Sequence, residues 1–261
     1  YKLTDGDGDS DTATLTINIG NDVPEIKDVP PASGEGAKQV YESGLDGTGS
    51  EAGTTKETTT GSFTYSSGDA PAVLTIKGET VTGTPGQQIV GQYGTLTINS
   101  VSGGVVSYSY TLTTNTGGDT TKDDFALSVK DADGDEDTAT LTINIVDDVP
   151  DAKDDVDLVA KGETSTDGNV LTGVGTTNGT GVDVKGADGA TVTQITFGAE
   201  TKDVPTSGTV TIDGQYGKLE IAADGSYTYT RNVDAGGKSD VFTYKLTDGD
   251  GDSDTATLTI N

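Results

Sequence analysis

The sequence predicts an all-β fold of tandem β-sandwich domains arranged end to end, and three observations carry that expectation. The first is a long-period internal repeat. YKLTDGDGDSDTATLTIN, Tyr1 to Asn18, recurs letter for letter from Tyr244 to Asn261, and the variant LSVKDADGDEDTATLTIN runs from Leu127 to Asn144. Asp5 and Asp131 lie 126 residues apart, Asp131 and Asp248 117 apart. Such periods exceed a solenoid rung of ~20 to 45 residues and suit independent sandwiches of about 100 residues each. The second is composition: 38 Gly and 7 Pro in 261 residues, abundant Thr and 31% hydrophobic content favour short strands and many turns over long helices. The third is period-two alternation of apolar and polar residues bounded by turn signals.

Taken along the chain, residues 1–22 read as the C-terminal hairpin of a preceding repeat, or as a swapped or partial repeat, and residues 23–148 and 149–261 as two sandwiches. The chain opens on Tyr1 with neither Met nor a signal-peptide pattern, as an internal piece would. In the first sandwich the Gly/Thr/Glu-rich stretch from Gly44 to Gly61 predicts a long loop or insertion. GQYGTLTI at Gly91 to Ile98 then returns in the second as GQYGKLEI at Gly214 to Ile221. Each is followed by a Tyr-x-Tyr strand, Tyr108 and Tyr110 or Tyr227 and Tyr229, better suited to cross-strand packing than to a sugar platform. Alternation in the last repeat predicts strands at Thr191–Phe197, Thr209–Ile212, Lys218–Ile221, Ser226–Thr230, Asp240–Leu246 and Thr255–Ile260. Asp213-Gly214 and Asp224-Gly225 are hairpin signals, and Asn178-Gly179 and Asp188-Gly189 punctuate the region before them.

Charge narrows the function classes. The 43 acidic residues against 15 basic give a formal net charge of -28, so self-repulsion works against a compact state unless cations neutralise it. The same sign argues against nucleic acid, whose phosphates need clustered Lys and Arg, and against anionic membrane surfaces. No apolar run approaches the ~18 residues of a span, so no direct membrane insertion is expected. Cys and His are absent, which removes disulfides, the commonest transition-metal ligands, the thiol nucleophile and the commonest general base. An enzyme is therefore not expected. A carboxylate-only glycosidase is conceivable in principle, but nothing singles out its acid and base. Outward Thr rows are ordinary for a solvent-facing strand and need no ice-binding role.

The residues that bear chemistry are aspartates at alternate positions in a Gly-rich turn: Asp5, Asp7, Asp9 and Asp11; Asp131, Asp133, Asp135 and Asp137; Asp248, Asp250, Asp252 and Asp254. Carboxylates so spaced converge on one point, and hard oxygens in that number suit Ca²⁺, which takes 6 to 8 of them. Charge runs are commonly solvated turns, yet triple recurrence exceeds what solubility needs. Counted from Asp5, an EF-hand would need Gly where Ser10 stands and Glu where Thr16 stands. Tandem nonapeptide repeats are also excluded, because the tract occurs once per repeat and runs into a strand. A linker follows each of the first two final strands: Asn21-Asp22-Val23-Pro24-Glu25 and Asp147-Asp148-Val149-Pro150-Asp151, 126 residues apart. Pro stiffens the junction. A strand of about seven residues at ~3.3 Å each holds tract and linker of one repeat roughly 23 Å apart. In an end-to-end array the tract of one repeat instead meets the linker arriving from the repeat before. Asp147, Asp148 and Asp151 are thus predicted to approach Asp248 to Asp254, and Asn21, Asp22 and Glu25 to approach Asp131 to Asp137.

These residues resemble the Ig-like extender repeats, of the VCBS kind, in giant RTX adhesins that bacteria export by type I secretion. The matching pieces are QYGKLEIAADGSYTYT at Gln215 to Thr230, FTYKLTDGDGDSDTATLTIN at Phe242 to Asn261, and the Asn-Asp or Asp-Asp junction before Val-Pro. The resemblance spans essentially the whole chain. It implies tandem Ig-like β-sandwich domains in a monomeric, secreted stalk on the bacterial cell surface. Its partners would be neighbouring repeats of the same chain, with Ca²⁺ between them, and its role to hold out an adhesive tip for attachment or biofilm formation. The alternative is a glycan- or protein-binding module, with Gly44 to Gly61 as its expected location. Glu136 replaces Ser in the middle tract, and Val105 to Tyr110 follows an extended turn at Ser100 to Gly104, departures that imply unequal metal occupancy among repeats.

Overall fold

The computed structural model of the chain describes residues 1–177, 181–232 and 236–261, and the turn signal Asn178-Gly179 lies outside them. An isolated hairpin of β1 (Lys2–Thr4) and β2 (Ser10–Thr12) comes first. The first sandwich contains β3 (Glu25–Lys27), β4 (Lys38–Tyr41), β5 (Thr58–Ser66), β6 (Val73–Ile76), β7 (Glu79–Thr80), β8 (Gln87–Val90), β9 (Gly94–Ser102), β10 (Val105–Leu112), β11 (Lys122–Lys130) and β12 (Glu136–Val146). Its two sheets run in the orders β3-β5-β10-β9-β8 and β4-β12-β11-β6-β7. The second contains β13 (Asp155–Asp157), β14 (Ser165–Asn169), β15 (Thr191–Phe197), β16 (Glu200–Asp203), β17 (Thr209–Asp213), β18 (Gly217–Ala222), β19 (Ser226–Arg231), β20 (Asp240–Thr247) and β21 (Ser253–Ile260). Its sheets run β13-β21-β20-β15-β16 and β14-β19-β18-β17.

The architecture is thus tandem β-sandwiches. In both units the last two strands form an antiparallel hairpin, and a short early strand lies parallel on the last one, β4 on β12 and β13 on β21. Alternation explains the cores. Along β21, Ala256, Leu258 and Ile260 are buried beside Phe242, Tyr244 and Leu246 of β20, facing Leu219, Ile221, Tyr227 and Tyr229 of the opposite sheet. In the first sandwich Phe125, Leu127, Val129, Leu141 and Ile143 face Phe63, Leu96, Ile98, Tyr108 and Tyr110. The six strands that alternation predicts in the last repeat are present as β15, β17, β18, β19, β20 and β21. Among the described residues no helix is long and apolar enough to cross a membrane.

The Gly-Gln-Tyr-Gly motif has a clear physical use. The turn before β9 points its Gln92, Tyr93 and Gly94 amides at the buried Asp123 carboxylate (2.8, 3.0 and 3.3 Å), which also accepts from the Tyr110 hydroxyl at 3.0 Å. Asp240 does the same for Gln215, Tyr216 and the Tyr229 hydroxyl, at 3.0, 3.0 and 2.7 Å. The second Tyr of each Tyr-x-Tyr pair is therefore a core residue with its polar tip satisfied.

The Gly44 to Gly61 stretch folds over one end of the first sandwich. A 3-10 turn at Glu42–Gly44 opens it, Leu45 enters the core, Ser43 donates to Glu51 at 3.0 Å, and β5 begins at Thr58. Beyond β2, residues 13–18 of the first hairpin join no strand. Leu15 and Ile17 are 73% and 75% exposed, although the same letters in β21, Leu258 and Ile260, are buried.

Candidate metal centre

Each acidic turn closes on itself. The amide of its first aspartate donates to the carbonyl of its fifth residue, Asp5 to Asp9 at 2.9 Å, Asp131 to Asp135 at 3.0 Å and Asp248 to Asp252 at 3.0 Å. The first carboxylate spends Oδ1 on the turn's own amides, those of Gly8 and Asp9, of Gly134 and Asp135, or of Gly251, at 2.9 to 3.1 Å. The glycine at the fourth position takes φ of 103°, 105° and 114° in the three copies, a region that side-chain-bearing residues avoid. The first, third and fifth carboxylates then converge. Asp5, Asp7 and Asp9 form one group, Asp131, Asp133 and Asp135 a second, and Asp248, Asp250 and Asp252 a third, each with ligand oxygens within 4.8 Å of one another.

The fourth aspartate of each tract has a different task. Asp137 Oδ2 accepts from the Ile26 amide at 2.7 Å, and Asp254 Oδ2 accepts from the Ala152 amide at 2.9 Å. Both latch the incoming linker to the turn. Asp11 caps the Thr12 amide at 2.8 Å.

Linker residues complete the junction between the sandwiches. Asp147 joins Asp248, Asp250 and Asp252 in one four-carboxylate group. At the equivalent turn of the first sandwich, Asn21 donates through Nδ2 to Asp135. The side chains of Asp148, Asp151 and Glu25 take other partners, although Glu25 lines one surface cleft with Asp135 and Asp137. The Asp22 carbonyl and the Asp131 carboxylate both border Gly68, the approach that the repeat predicts. Asp148 accepts from the Ser50 amide at 2.8 Å and hydroxyl at 2.5 Å, Asp151 pairs with Lys153 at 2.5 Å, and Glu25 pairs with Lys27 at 2.6 Å. Asp22 contributes a backbone carbonyl that abuts Gly68, while Gly186 abuts the Asp148 carbonyl. At φ 58° and 70°, with a Cβ at either position running into the linker backbone, both sites require glycine.

Two further carboxylates that spacing did not indicate join the cluster. The parallel register sets Tyr41 beside Val146, so the next residues, Glu42 and Asp147, become neighbours. Asp188, on the loop between Gly186 and Ala190, joins them in a second group of three. The Asp188 carbonyl lies 3.2 Å from where a Gly249 Cβ would stand, and Asp69 holds the matching place in the first sandwich, its carbonyl accepting from Ala132 at 3.3 Å. Glu42 stands two residues before the stretch expected as a loop, where the sequence carries no site signal, and Asp188 belongs to an Asp-Gly pair expected as a turn marker.

Electrostatics at the junction are unbalanced. Among the described residues, the buried Oε2 of Glu42, both oxygens of Asp147, Oδ2 of Asp188, Oδ2 of Asp248 and both oxygens of Asp250 have no hydrogen-bond partner. Among the described residues none of these carboxylates forms an ion pair with Lys or Arg. Burial, then the neighbouring Asp250 charge, push Asp147 up to about 7. Burial likewise raises Glu42 and Asp248. Unpaired buried carboxylates are costly, and a hard divalent cation among hard oxygens removes that cost. The donor set, all oxygen with no thiolate or imidazole, fits Ca²⁺ better than a transition metal.

Comparison with solved structures gives weak likenesses. A two-domain Ig module of the Drosophila receptor tyrosine phosphatase DLAR is 13% identical over 92% of this chain and 99% of its own, with TM-score 0.28. A protocadherin γB4 extracellular domain is 12% identical over 99% of this chain and 37% of its own, with TM-score 0.33. The Bacteroides ovatus SGBP-B protein, solved with a mixed-linkage heptasaccharide, is 15% identical over 92% and 48%, with TM-score 0.25. Scores this low carry no functional argument. No curated protein matches the chain. Residues 147–261, a stretch that takes in the second sandwich with the linker acid Asp147 at its head, match the family described as the bacterial Ig domain.

Proposed function

We propose that this chain is a calcium-stiffened extender, part of the stalk of a large secreted bacterial surface adhesin, whose output is length and rigidity in support of attachment. One observation supports it above the rest. Carboxylates from the first sandwich, the linker and the second sandwich converge at one junction with buried oxygens that no group among the described residues satisfies. Asp147, Asp248, Asp250 and Asp252 would hold Ca²⁺ there, and the ion would supply the positive charge that lets the two units pack end to end. The turn at Asp131, Asp133 and Asp135, with Asn21 beside it, would serve the junction to a preceding unit. The exposed turn at Asp5, Asp7 and Asp9 has the same local shape and no linker against it. RTX export and the VCBS subtype belong to this reading through the sequence resemblance alone.

The ligand-binding alternative draws little support from the segment first considered for it. Gly44 to Gly61 is folded against the junction through Ser50 and Asp148. Small-angle scattering with thermal melting, in millimolar calcium and then in EDTA, tests the extender reading. It expects a longer, stiffer particle and a higher melting temperature with calcium; an unchanged length and melt would refute it.

A further inference from the structure

We propose that the junction holds two divalent cations bridged by Asp147, one in the acidic turn with Asp248, Asp250 and Asp252, the second between Glu42, Asp147 and Asp188. This rests on the calcium reading above and goes beyond it in number, ligands and mechanical consequence.

The geometry supplies two separate groups that share one residue. Asp147 belongs to the set with Asp248, Asp250 and Asp252 and to the set with Glu42 and Asp188. Both of its oxygens are buried and unpartnered, so it has one to give to each ion. The two remaining ligands of the second group are aimed in the same way. Glu42 is fully buried; Oε1 accepts from the Thr116 amide at 2.8 Å, and Oε2 has no partner. Asp188 takes the Asn115 amide on Oδ1 and leaves Oδ2 without a partner. Each carboxylate is thus oriented by one hydrogen bond and presents its second oxygen to the group.

Charge points the same way. Glu42, Asp147, Asp188, Asp248, Asp250 and Asp252 carry six formal negative charges with no basic partner among the described residues. One divalent ion leaves four uncompensated and two leave two, a lighter load for a buried site. Backbone carbonyls and water complete calcium shells elsewhere in the usual way.

The two ions differ in what they join. The acidic-turn ion ties the second sandwich to the linker. The second ion alone takes ligands from both sandwiches, Glu42 from the first and Asp188 from the second, so it locks their relative orientation. The turn at Asp131 meets Asn21 where the junction has Asp147, an amide that cannot supply the bridging charge, and it is expected to hold a single ion.

The test counts ions in the complete chain by crystallography in calcium, with calcium anomalous scattering, and by calcium binding stoichiometry in solution. The wild type is expected to show two peaks at the junction. The double variant Glu42→Gln and Asp188→Asn, which keeps the Thr116 and Asn115 hydrogen bonds in reach of its amide oxygens, should lose one ion per chain and keep the acidic-turn peak. Its scattering profile in calcium should shift toward that of the EDTA-treated wild type. A single wild-type peak, at the acidic turn, would overturn the second site and leave the extender reading standing. No peak at all would overturn both. The wild-type count decides even if the double variant does not fold.

Discussion

Asp123 and Asp240 show how one side chain fixes a fold locally. Each gathers turn amides and a core tyrosine hydroxyl, and hydrogen bonds to a charged acceptor contribute about 1.5 to 3 kcal/mol each, non-additively. Asp240→Asn is therefore expected to destabilise the second sandwich by roughly 2 to 4 kcal/mol in urea unfolding, and Asp123→Asn the first by a similar amount. Tyr229→Phe, which removes one bond, should cost about 1.5 to 3 kcal/mol. A second buried pair behaves differently. Asp155 and Asp183 lie under β20 with the Tyr244 hydroxyl, which is 2.7 Å from the Lys153 carbonyl and 3.1 to 3.4 Å from the two carboxylates. Burial, then the Asp183 charge, push Asp155 up to about 7. Burial also lifts Asp183 to about 6, with Asp151, Asp154, Asp157 and Asp254 adding repulsion around the pair. Both ionise near 3.8 in an unfolded chain. The folded state keeps its protons to higher pH, so this contribution is full below about 4, falls as pH rises through 6 to 7, and is level above. In EDTA the second sandwich should melt lower at pH 8 than at pH 5. The double variant Asp155→Asn and Asp183→Asn should flatten that slope. Parallel pH profiles for the two proteins would refute the assignment. In the first sandwich Leu127 occupies the strand position of Tyr244, each opposite an alanine of the final strand, so the polar cluster is not a requirement of the fold.

At the scale of elements, what is local was legible and what is brought together by folding was not. The acidic turn has the same internal hydrogen bond in all three copies, two of them in complete sandwiches and one on an isolated hairpin, because alternate Asp and Gly specify it within a few residues. Strands β17 to β21 follow from alternation and turn residues in the same direct way. Glu42 reaches Asp147 only because a short strand pairs in parallel with one about a hundred residues later, and no spacing within either segment encodes that meeting. The Gly44 to Gly61 stretch lacks periodicity because its order comes from contacts with Asp148 and between Ser43 and Glu51. Its last residues already belong to β5, so the expected loop was too long by four residues. The exact repeat offers a controlled comparison of context. Leu258→Ala, at a fully buried position, should cost about 2 to 5 kcal/mol. Leu15→Ala, the same letter in the same motif, is exposed and should change stability by less than about 0.5 kcal/mol. Equal effects in urea unfolding would mean that the first hairpin has found a sandwich of its own.

Over the whole molecule, a net charge of -28 on 261 residues must be met by something, since Lys and Arg together offset about a third of the acids. The observed ion pairs, such as Lys153 with Asp151 or Lys27 with Glu25, are largely exposed and of the kind that contributes little. Two agents remain, bound divalent ions and diffuse salt, and they act over different distances. Diffuse salt screens across the surface, with a Debye length falling from about 30 Å at 0.01 M to about 3 Å at 1 M, and reaches a buried junction weakly. Calcium, on the proposed reading, would bind the native state where the carboxylates converge, adding about 2.7 kcal/mol per site at ~100 times the dissociation constant. Extracellular modules commonly bind with constants of about 10⁻⁴ to 10⁻³ M, so millimolar calcium acts within the responsive range. In EDTA, raising NaCl from 20 mM to 500 mM should therefore raise the melting temperature while leaving the particle flexible in small-angle scattering. In 10 mM calcium the same salt step should move the melting temperature less, and the particle should stay extended. If 500 mM NaCl alone restored the extended shape, charge screening rather than coordination would be what straightens the chain, and the converging carboxylates at the junction would have no specific task.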